Sequence, residues 1–572
     1  MPTSRRTFLK GLGATTVALY STDLVAELLA QSPQGAVLQS KFKGLADIVL
    51  GEAKRLGCSY ADVRFTMTVP IPGGNASFNA NGAGGDAGGG GFGGGGGGRG
   101  GGGRGGGRGG GGGRGGGRGG RSGGLGAGGG MPADFDRQAA GFGVRVIHSG
   151  VWGFASSPIV TEDEIRRITG VATDVARASA VAKRTDVVLA PVPAYIEHYT
   201  TPLEKDPTKV SPNDKQAWAQ AIVDKASKVK GVTNVTASLT HSYEWKYFAS
   251  SEGSYIEQEI YTTTPSLNVT ARVGDVTRSR VYPGVPGTGG YEFAERSDLL
   301  DAAERVAGEA VEFCSAKPLG AGVKDLILSP SHAMLTIHEI VAHATEIDRV
   351  MGYEANYAGT SFVKVSDVGK LKYGSKLFNI TASKTDTGLA SCGFDDDGVK
   401  TQQFPLVREG ILVGLQTNRE TAHYLGEKES RGCTYAQSWR DYPFLRMPNV
   451  HLEPGGAGSP TRAEIIADTK DGVMIEGLGS YSIDQQRYNG QFGGNAFWEI
   501  KNGKVTRMVT DVTYNAITTD FWGSLDAVSG KSEWEMHGTG GDAKGQPTQI
   551  NSISHGSPWI RIRKILVGAA FQ

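Results

Sequence analysis

A glycine-rich segment constrains the fold of this chain more than any other feature of its sequence. From about Gly73 to Gly130 most residues are glycine, with arginines spaced through the run, and the whole chain holds 88 glycines among 572 residues. Such a segment cannot bury enough apolar surface to offset the entropy lost when its backbone is ordered. We therefore predict a disordered Gly/Arg-rich insertion over residues 71–136, with the folded core built from the sequence on either side.

Two interpretations of this insertion compete. Arg-Gly repeats bind RNA or single strands through charge and through stacking of arginine on bases. Aromatic residues are nearly absent, however, since Phe92 is the only ring between Gly82 and Gly130. The balance of 59 Lys+Arg against 58 Asp+Glu also gives no overall reason to expect a nucleic-acid or membrane-surface partner. We interpret the insertion as a flexible, weakly cationic loop and expect no nucleic-acid partner.

The N-terminus has the pattern of an export signal. Arg5 and Arg6 are followed by Phe-Leu-Lys and a mildly apolar stretch that ends near Tyr20. This order is typical of a twin-arginine leader, with an ordinary basic N-terminus as the alternative. We expect residues 1–30 to be the signal peptide and the mature protein to be periplasmic or otherwise extracytoplasmic. No apolar run approaches the ~20 residues that span a bilayer, so we expect no integral membrane segment.

Periodicity on either side of the insertion predicts an α+β protein of two domains. The elements predicted before residue 318 are a helix at 45–56, a strand at 61–69, a hairpin turning at Ser149-Gly150, helices at 161–182 and 214–229, strands between 234 and 281, and a helix at 297–314. Because strands and helices do not alternate regularly, we predict a mixed α/β N-terminal domain over residues 38–317 rather than a doubly wound sheet.

The second predicted domain, residues 318–572, is β-rich around one helix. A strand at 324–328 is followed directly by a helical pattern over 331–350. Beyond Cys392 the sequence is mostly hairpins, with turns at Asp397-Gly398, Glu409-Gly410 and Asn502-Gly503. The four cysteines are scattered without a CxxC pair, so they predict neither a thiolate cluster nor a disulfide-dense scaffold, although one or two bridges stay open.

The helix of the second domain carries the sequence HEIVAH, in which His338 and His343 are five residues apart. Zinc hydrolases of the familiar pattern place the two histidines four apart, roughly 40° around a helix. At five apart they lie roughly 140° from each other on an ideal helix. A π-bulge between them would restore convergence. We therefore predict a distorted helix if both bind zinc; a polar stripe at an interface is the alternative.

Four segments follow one another along the second half: HEIVAHATEID, then CGFDDDGVKTQQFPLVREGILVGLQTNRETA, FLRMPNV and DGVMIEGLGS. They resemble the C-terminal half of the TldD/PmbA family of metallopeptidases. Its N-terminal domain is similar to the earlier stretches SYADVRF and GFGVRVIHSGVWGFA. The resemblance covers most of the chain outside the leader and the insertion, and it implies a two-domain architecture with a metal-binding helix in the second domain.

The resemblance also implies a function. The chain keeps the HExxxH pattern of the TldD type, which the PmbA type has lost. His338 and His343 would bind Zn²⁺, and Glu339 would be the general base toward the zinc-bound water. The substrates would be short or unfolded peptides, cleaved inside a dimer formed with a second copy or with a PmbA-like chain. A non-catalytic peptide-binding or partner subunit is the alternative function, and an interaction protein that acts through its glycine-rich insertion is a third.

The third ligand is where this sequence departs from the family. A cysteine near the C-terminus, before a Gly-Gln pair, completes the family's metal site, but the matching residues 541–546 contain none. Asp542 is the nearest residue there that binds metal, and a carboxylate is an acceptable zinc ligand. We predict Asp542 as the third ligand. The alternatives are that Asp542 merely occupies a turn beside a weakened site, or that His537 or His555 replaces it.

Three more residues are assigned to the surroundings of the site. Glu346 and Asp348 follow the motif and are predicted to hold the imidazoles by hydrogen bonds, with a solvated helix face as the alternative. His555 is predicted to orient substrate or a ligand. The group that stabilises the oxyanion is left unassigned, because tyrosine, arginine and backbone candidates are too many.

Overall fold

The structure is a computed structural model that describes residues 40–80 and 140–568. The predicted signal peptide and residues 81–136 of the predicted insertion lie outside these ranges. None of the helices within the described ranges has the length and apolar character that crossing a lipid bilayer requires. Helices and strands are mixed along the chain, which confirms the α+β class.

The first half of the described chain is one eight-stranded sheet with helices packed on it. Its strands are β1 (Tyr60–Asn79), β2 (Ala140–His148), β3 (Val151–Ser157), β4 (Ile196–Thr200), β5 (Val232–Ser250), β6 (Tyr255–Val273), β7 (Val276–Pro283) and β8 (Gly287–Thr288). Its helices are α1 (Lys41–Arg55), α2 (Glu162–Ser179), α3 (Pro212–Ala226), α4 (Glu292–Glu295) and α5 (Leu299–Ser315). The strand order is β3-β2-β1-β5-β6-β4, and β7 and β8 both pair with β6.

Local sequence signals account for several of these elements. Helix α2 begins after Thr161, whose side chain accepts a hydrogen bond from the backbone N–H of Glu164, as the Thr-x-x-Glu pattern predicts. The predicted hairpin at Ser149-Gly150 is present between β2 and β3, with both turn residues at positive φ. Two apolar clusters, one under α1 and α2 and one under α3 and α5, anchor the helices to the sheet.

Strand β1 is longer than predicted. It continues through Asn79 and pairs with β5 along its whole length, so the prediction of disorder from residue 71 was wrong for residues 71–79. Pairing with the long strand β5 supplies the backbone hydrogen bonds that these residues would otherwise lack. A register shift between Ile71 and Gly74 accommodates Pro72 and the two glycines that follow it.

The second half is β-rich, as predicted. Its strands are β9 (Lys317–Pro318), β10 (Gly322–Leu328), β11 (Ile380–Ser383), β12 (Gln403–Arg408), β13 (Ile411–Leu412), β14 (Thr434–Tyr435), β15 (Phe444–Leu445), β16 (Asn449–Leu452), β17 (Asp471–Glu476), β18 (Tyr481–Ile483), β19 (Asn489–Gly493), β20 (Ala496–Lys501), β21 (Lys504–Thr510), β22 (Thr513–Ile517), β23 (Leu525–Val528), β24 (Glu535–Lys544), β25 (Gln549–Ser557) and β26 (Ile560–Gly568). Its α-helices are α6 (Pro330–Ile337), α7 (Ile347–Val350), α8 (Arg462–Ala467) and α9 (Thr518–Gly523).

Most of these strands form a ten-stranded sheet of order β18-β19-β22-β26-β10-β17-β20-β21-β9, with β23 paired to β26. The turns predicted at Glu409-Gly410 and Asn502-Gly503 join β12 to β13 and β20 to β21. Helix α6 leaves the end of β10 and enters a large apolar core, and the hairpin β24–β25 lies against it. The four cysteines all lie in the described ranges and none of them is paired in a disulfide.

A buried set of charges joins the two halves; we call Asp62, Arg145, Lys246, Asp396 and Asp397 the junction cluster. Arg145 Nη2 donates to Asp62 Oδ2 and to Asp397 Oδ1, both at 2.7 Å, and Lys246 Nζ lies 3.3 Å from both oxygens of Asp396. The predicted turn at Asp397-Gly398 therefore also holds the two halves together, because the carboxylates of Asp396 and Asp397 contact cations on β2 and β5.

Candidate metal centre

The ligand helix is distorted between its two histidines. Helix α6 begins after Ser329, whose side chain accepts the N–H of His332, and continues regularly to Ile337. A π-helical turn covers His338–Ala342, and the backbone N–H of His343 donates to the carbonyl of His338, five residues back. The five-residue spacing of HEIVAH thus occurs together with the distortion that it predicts.

The helix does not continue to residue 350, and the prediction of a single helix over 331–350 was wrong. A 3-10 turn at His343–Thr345 follows the π turn, Glu346 is extended with ψ 115°, and α7 begins anew. The physical cause is competition from Gln416. Its backbone N–H donates to the Thr345 carbonyl at 2.9 Å, and its side-chain amide donates to the Ala342 carbonyl at 2.6 Å. These bonds take up carbonyls that a continuing helix would use.

The two imidazoles and one carboxylate meet at a single point. Asp542 Oδ1 lies 3.5 Å from His343 Nε2 and 3.7 Å from His338 Nε2, and all three atoms lie within 4.8 Å of one another. We call His338, His343 and Asp542 the ligand site. Asp542 comes from β24, where the register with β25 shifts between Thr539 and Asp542. Such a bulge re-aims the side chains that follow it.

The hydrogen bonds on the far side of each ring fix where its proton sits. His343 Nδ1 lies 2.8 Å from Glu346 Oε2, so it donates there. His338 Nδ1 lies 3.0 Å from His555 Nε2, and His555 Nδ1 donates to the Val450 carbonyl at 2.9 Å. Burial lowers the pKa of both His343 and His555, which favours their neutral forms. In neutral rings these bonds leave lone pairs at Nε2 of His338 and His343.

Asp542 is ionised in the same environment. Burial opposes its charge, but the guanidinium of Arg446 holds the pKa of Asp542 below its ordinary value. Arg446 Nη2 donates to Asp542 Oδ2 at 2.8 Å and to its backbone carbonyl at 2.7 Å. One carboxylate oxygen is thus held by the guanidinium, and the other faces the imidazoles.

This donor set fits a zinc ion. Zinc bonds to imidazole nitrogen at about 2.0–2.1 Å and to carboxylate oxygen at about 2.0–2.2 Å, so tetrahedral ligands stand about 3.4 Å apart. The observed separations of 3.5 and 3.7 Å are close to that value. Two lone pairs and one anionic oxygen that face each other at this distance repel, and a cation between them converts that repulsion into attraction. Two nitrogens and one oxygen also suit zinc chemically.

Glu339 lies within the π turn beside the ligands and is 3% exposed. Its Oε2 accepts a hydrogen bond of 2.6 Å from Arg487 Nη1. Arg487 comes from the loop between β18 and β19 and has φ of +61°, an uncommon conformation for a residue with a side chain. The predicted base is therefore next to the ligand site and in contact with one cation.

A second layer of charges supports His343. Glu346 accepts from His343, from Arg349 Nε at 2.5 Å and from Lys544 Nζ at 2.9 Å. Burial opposes the charge of Glu346, but Lys544 and Arg349 hold its pKa well below the ordinary range. The predicted imidazole contact is thus present for Glu346. It is not present for Asp348, because the break at Glu346 turns this side chain away. Among the described residues, the carboxylate of Asp348 instead contacts Lys544 Nζ at 2.6 Å and the backbone N–H of Arg349.

Two further histidines that the sequence singled out, His555 and His537, lie on the hairpin β24–β25. His555 Nε2 lies 3.0 Å from His338 Nδ1, and the orienting role predicted for it stays a prediction. His537 lies on the same hairpin, with its Nε2 3.0 Å from Glu535 Oε2, and it is not among the three groups that converge. The sequence reasoning missed Arg349, Arg446, Arg487 and Lys544. Arg446 and Lys544 lie inside segments quoted for the family resemblance, and Arg349 follows the motif, but no spacing rule marks Arg487.

Comparison with known proteins agrees with this geometry. The PmbA/TldA metallopeptidase C-terminal domain matches residues 321–569, and the PmbA/TldA metallopeptidase central domain matches residues 205–315. Together the two matches span more than half of the chain. The chain belongs to the PmbA/TldD family.

Curated members of this family align along most of the chain. A metalloprotease of Methanothermobacter thermautotrophicus is 27% identical over 431 residues, which is 75% of this chain and 89% of the relative. A zinc metalloprotease TldD homolog of Saccharolobus solfataricus is 23% identical over 443 residues, with 75% and 90% covered. These PmbA/TldD relatives are named as peptidases, and this chain is similar to them over the length of their own chains.

Solved structures share the fold. TldE from Thermococcus kodakarensis superposes with a TM-score of 0.61 at 15% identity, covering 92% of this chain and 100% of TldE. A Thermotoga maritima protein described as a modulator of a DNA gyrase gives a TM-score of 0.65 at 15% identity, with 92% and 100% covered. At this identity the likeness establishes the architecture of the PmbA/TldD chain and nothing about its chemistry.

Proposed function

We propose that this chain is a TldD-type, zinc-dependent metallopeptidase that hydrolyses peptide bonds, with His338, His343 and Asp542 as ligands and Glu339 as general base. The observation that carries the proposal is the convergence of three lone-pair-bearing atoms from three elements: His338 in the π turn, His343 in the 3-10 turn and Asp542 in β24. The hydrogen bonds on the far side of each ligand support it, since each one orients a lone pair inward.

The chain's own residues perform most of the proposed reaction. Zinc, when bound, supplies a water of lowered pKa and polarises the scissile carbonyl. Glu339 takes a proton from that water as the water oxygen bonds to the carbonyl carbon. The same carboxyl then gives the proton to the leaving nitrogen as the C–N bond breaks, so that water and peptide yield one carboxylic acid and one amine.

The enclosure of the site bears on the substrate. His338, Glu339, His343 and Asp542 are each at most 4% exposed, so only a narrow segment of chain can reach them. Short or unfolded peptides fit such a site, and a folded protein surface does not. The proposal includes a partner, either a second copy or a PmbA-like chain, and export by the twin-arginine route to an extracytoplasmic compartment. The existence of PmbA-like and TldE-like relatives supports a complex of this kind.

The test combines metal content with cleavage. Purified protein is analysed for zinc and incubated with unfolded casein and short peptides, as wild type and as Glu339→Gln. A matched control is Glu476→Gln, since Glu476 also bonds an arginine at 2.6 Å but lies elsewhere. We expect about one zinc per chain in all three proteins. Activity should fall by roughly 10²–10⁴-fold in Glu339→Gln alone.

Two outcomes would contradict the proposal. Wild-type protein that binds peptides without cleaving them would instead support the non-catalytic partner function. Cleavage that is unchanged in Glu339→Gln would show that another group is the base.

A further inference from the structure

The proposed reaction builds negative charge on the carbonyl oxygen of the peptide, and the structure offers few groups to receive it. Four cations lie near the ligand site: Arg349, Arg446, Arg487 and Lys544. Arg446 is bonded to Asp542, and both Arg349 and Lys544 are bonded to Glu346. The side chains of these three are 0% exposed, so they lie behind the ligands where a substrate does not reach.

Arg487 differs from the other three in position. Its side chain is 14% exposed, and it contacts Glu339, the group that would hold the attacking water. A cation in direct contact with the base is on the substrate side of the site, because the water attacks from between the base and the carbonyl carbon. Among these four cations, Arg487 is therefore the one that a bound carbonyl oxygen can approach.

The guanidinium of Arg487 also has N–H donors that lack a well-placed acceptor. Nη1 donates to Glu339, Nη2 reaches the Ala358 carbonyl only at 3.4 Å, and Nε is buried with no acceptor among the described residues. Arg349 Nη2 and Arg446 Nε likewise have no acceptor among the described residues, but those two side chains are 0% exposed. Because buried donors are normally paired, the unpaired Nε of the partly exposed Arg487 is the one that can receive an acceptor from the substrate.

The backbone around Arg487 is held in place for such a role. Its φ of +61° is sparsely populated for a residue with a side chain and persists only where neighbouring contacts enforce it. Thr518 Oγ1 donates to the Arg487 carbonyl at 2.8 Å, and the N–H groups of Thr360 and Phe362 bond the carbonyls of Gln485 and Gln486 at 2.7 and 2.8 Å. These hydrogen bonds hold the loop from two neighbouring segments, and they therefore fix the backbone position from which the Arg487 side chain extends.

We propose that Arg487 is a further catalytic residue, whose guanidinium binds the carbonyl oxygen of the scissile peptide as that oxygen becomes an oxyanion. The inference rests on the proposed function. As the water oxygen bonds to the carbonyl carbon, the π pair of the carbonyl moves to oxygen and meets the N–H groups of Arg487, while Glu339 turns from Arg487 to the water proton. The charge is released when the C–N bond breaks and the carbonyl re-forms.

The experiment compares zinc-loaded wild type, Arg487→Lys and Arg487→Met. Arg280→Met is the matched control, because Arg280 is also buried and bonded to a glutamate at 2.6 Å, away from the ligands. Each protein is assayed for zinc content, for kcat and KM on a short peptide, and for affinity to a phosphonamidate peptide of the same sequence, whose tetrahedral anion resembles the intermediate.

We expect Arg487→Met to lower kcat about 10²–10³-fold while KM changes little, since a donor used only in the transition state affects kcat. Affinity for the phosphonamidate should fall by a similar factor, and zinc content should equal that of wild type. Arg487→Lys keeps the charge, so it should recover part of both losses and guard against a folding defect in the methionine variant. Arg280→Met should leave the ratio of the two affinities, peptide and phosphonamidate, unchanged.

Three results would overturn this role. A higher kcat in Arg487→Met would show that the arginine restrains Glu339. An equal loss of peptide and phosphonamidate affinity would assign it to ground-state binding. Unchanged kcat and phosphonamidate affinity, in an active wild type, would remove it from catalysis and leave the proposed function standing. Wild-type protein with neither zinc nor activity would overturn both proposals together.

Discussion

The ligand site and the junction cluster are both buried groups of charged side chains, yet their contacts differ in kind. In the junction cluster each carboxylate oxygen meets a donor: Asp397 Oδ1 meets Arg145 and its Oδ2 meets Thr434 Oγ1 at 2.6 Å. In the ligand site Asp542 Oδ2 meets Arg446, but Oδ1 faces two imidazole nitrogens that carry lone pairs.

This difference is the one expected between a metal site, as we propose for the ligand site, and a structural ion cluster. Burial and charge are common to both, and each contains an aspartate bonded to an arginine at 2.7 or 2.8 Å. The distinguishing property of the ligand site is that its hydrogen-bond acceptors, one carboxylate oxygen and two imidazole nitrogens, face one another. A structural cluster is complete without an added ion, whereas a set of converging lone pairs gains favourable energy only when a cation joins it.

We expect the largest change in zinc affinity from substitution of Asp542 and none from substitution of Asp397. Asp542→Ala removes one of three ligands, so zinc affinity should fall by more than the roughly 100-fold that loss of a supporting hydrogen bond costs. Peptidase activity should fall with it. Zinc titration with a competing chelator measures the change. Full zinc affinity in Asp542→Ala would show that the carboxylate is not a ligand and that Asp542, like Asp397, has a structural role only.

Asp397→Ala is the counterpart in the junction cluster. It leaves Arg145 with Asp62 as its remaining carboxylate, and breaking a buried ion pair costs about 3 kcal/mol or more in the free energy of unfolding. Zinc affinity should stay at the wild-type value. Urea unfolding followed by circular dichroism gives the stability, and the chelator titration gives the affinity. Loss of zinc without loss of stability would contradict the structural role of this cluster.

Glu346→Gln tests the support behind one ligand. The amide is nearly isosteric but does not attract the Nδ1–H of His343 as a carboxylate does, so zinc affinity should fall by about 10–100-fold. Catalytic rate at saturating zinc should change less. The same chelator titration applies, with Glu476→Gln as the control. An unchanged affinity would mean that His343 is oriented by packing alone.

The smallest effect concerns a buried histidine that is not a ligand. His332 lies six residues before His338, and its ring forms hydrogen bonds with the Gly477 carbonyl and the Tyr514 hydroxyl, both at 2.8 Å. Burial lowers its pKa to about 4. Its neutral form is the folded form, so its contribution is complete above the unfolded pKa of about 6.5 and is lost as the pH falls toward 4.

Between these pH values the lost stability from His332 amounts to about 1.4 kcal/mol per pH unit. Unfolding free energies of wild type and His332→Gln, measured at pH 7, 6 and 5, should differ in slope by roughly half that amount between pH 7 and 6 and by nearly all of it between pH 6 and 5, because the other groups cancel in the difference. Zinc affinity should be the same in both proteins. Parallel slopes would show that His332 titrates normally in the folded chain.

The sequence allowed some of this architecture to be predicted, and the reasons differ from element to element. The five-residue spacing of His338 and His343 predicts the π turn, because helix geometry is local and periodic. The Thr161 cap and the turns at Glu409-Gly410 and Asn502-Gly503 are local signals of the same kind. The extent of β1 was missed, since its last residues depend on pairing with β5, far along the chain.

The charged surroundings of the site could be predicted only in part. Glu346 is three residues from His343, so its contact follows from local geometry. Arg446 and Arg487 reach the site from loops that lie 96 residues from Asp542 and 148 residues from Glu339, and only the folded topology brings them there. Asp348 was assigned wrongly, because Gln416 ends the helix that the assignment assumed.

X-ray absorption at the zinc edge identifies the donor atoms of the proposed zinc site directly. Zinc–nitrogen and zinc–oxygen distances of about 2.0–2.2 Å are separable from the zinc–sulfur distance of about 2.3 Å. The account predicts a shell of nitrogen and oxygen atoms only, with the outer-shell scattering of two imidazoles in wild-type protein and a lost oxygen in Asp542→Ala. A sulfur shell, or a wild-type spectrum without two imidazoles, would contradict it.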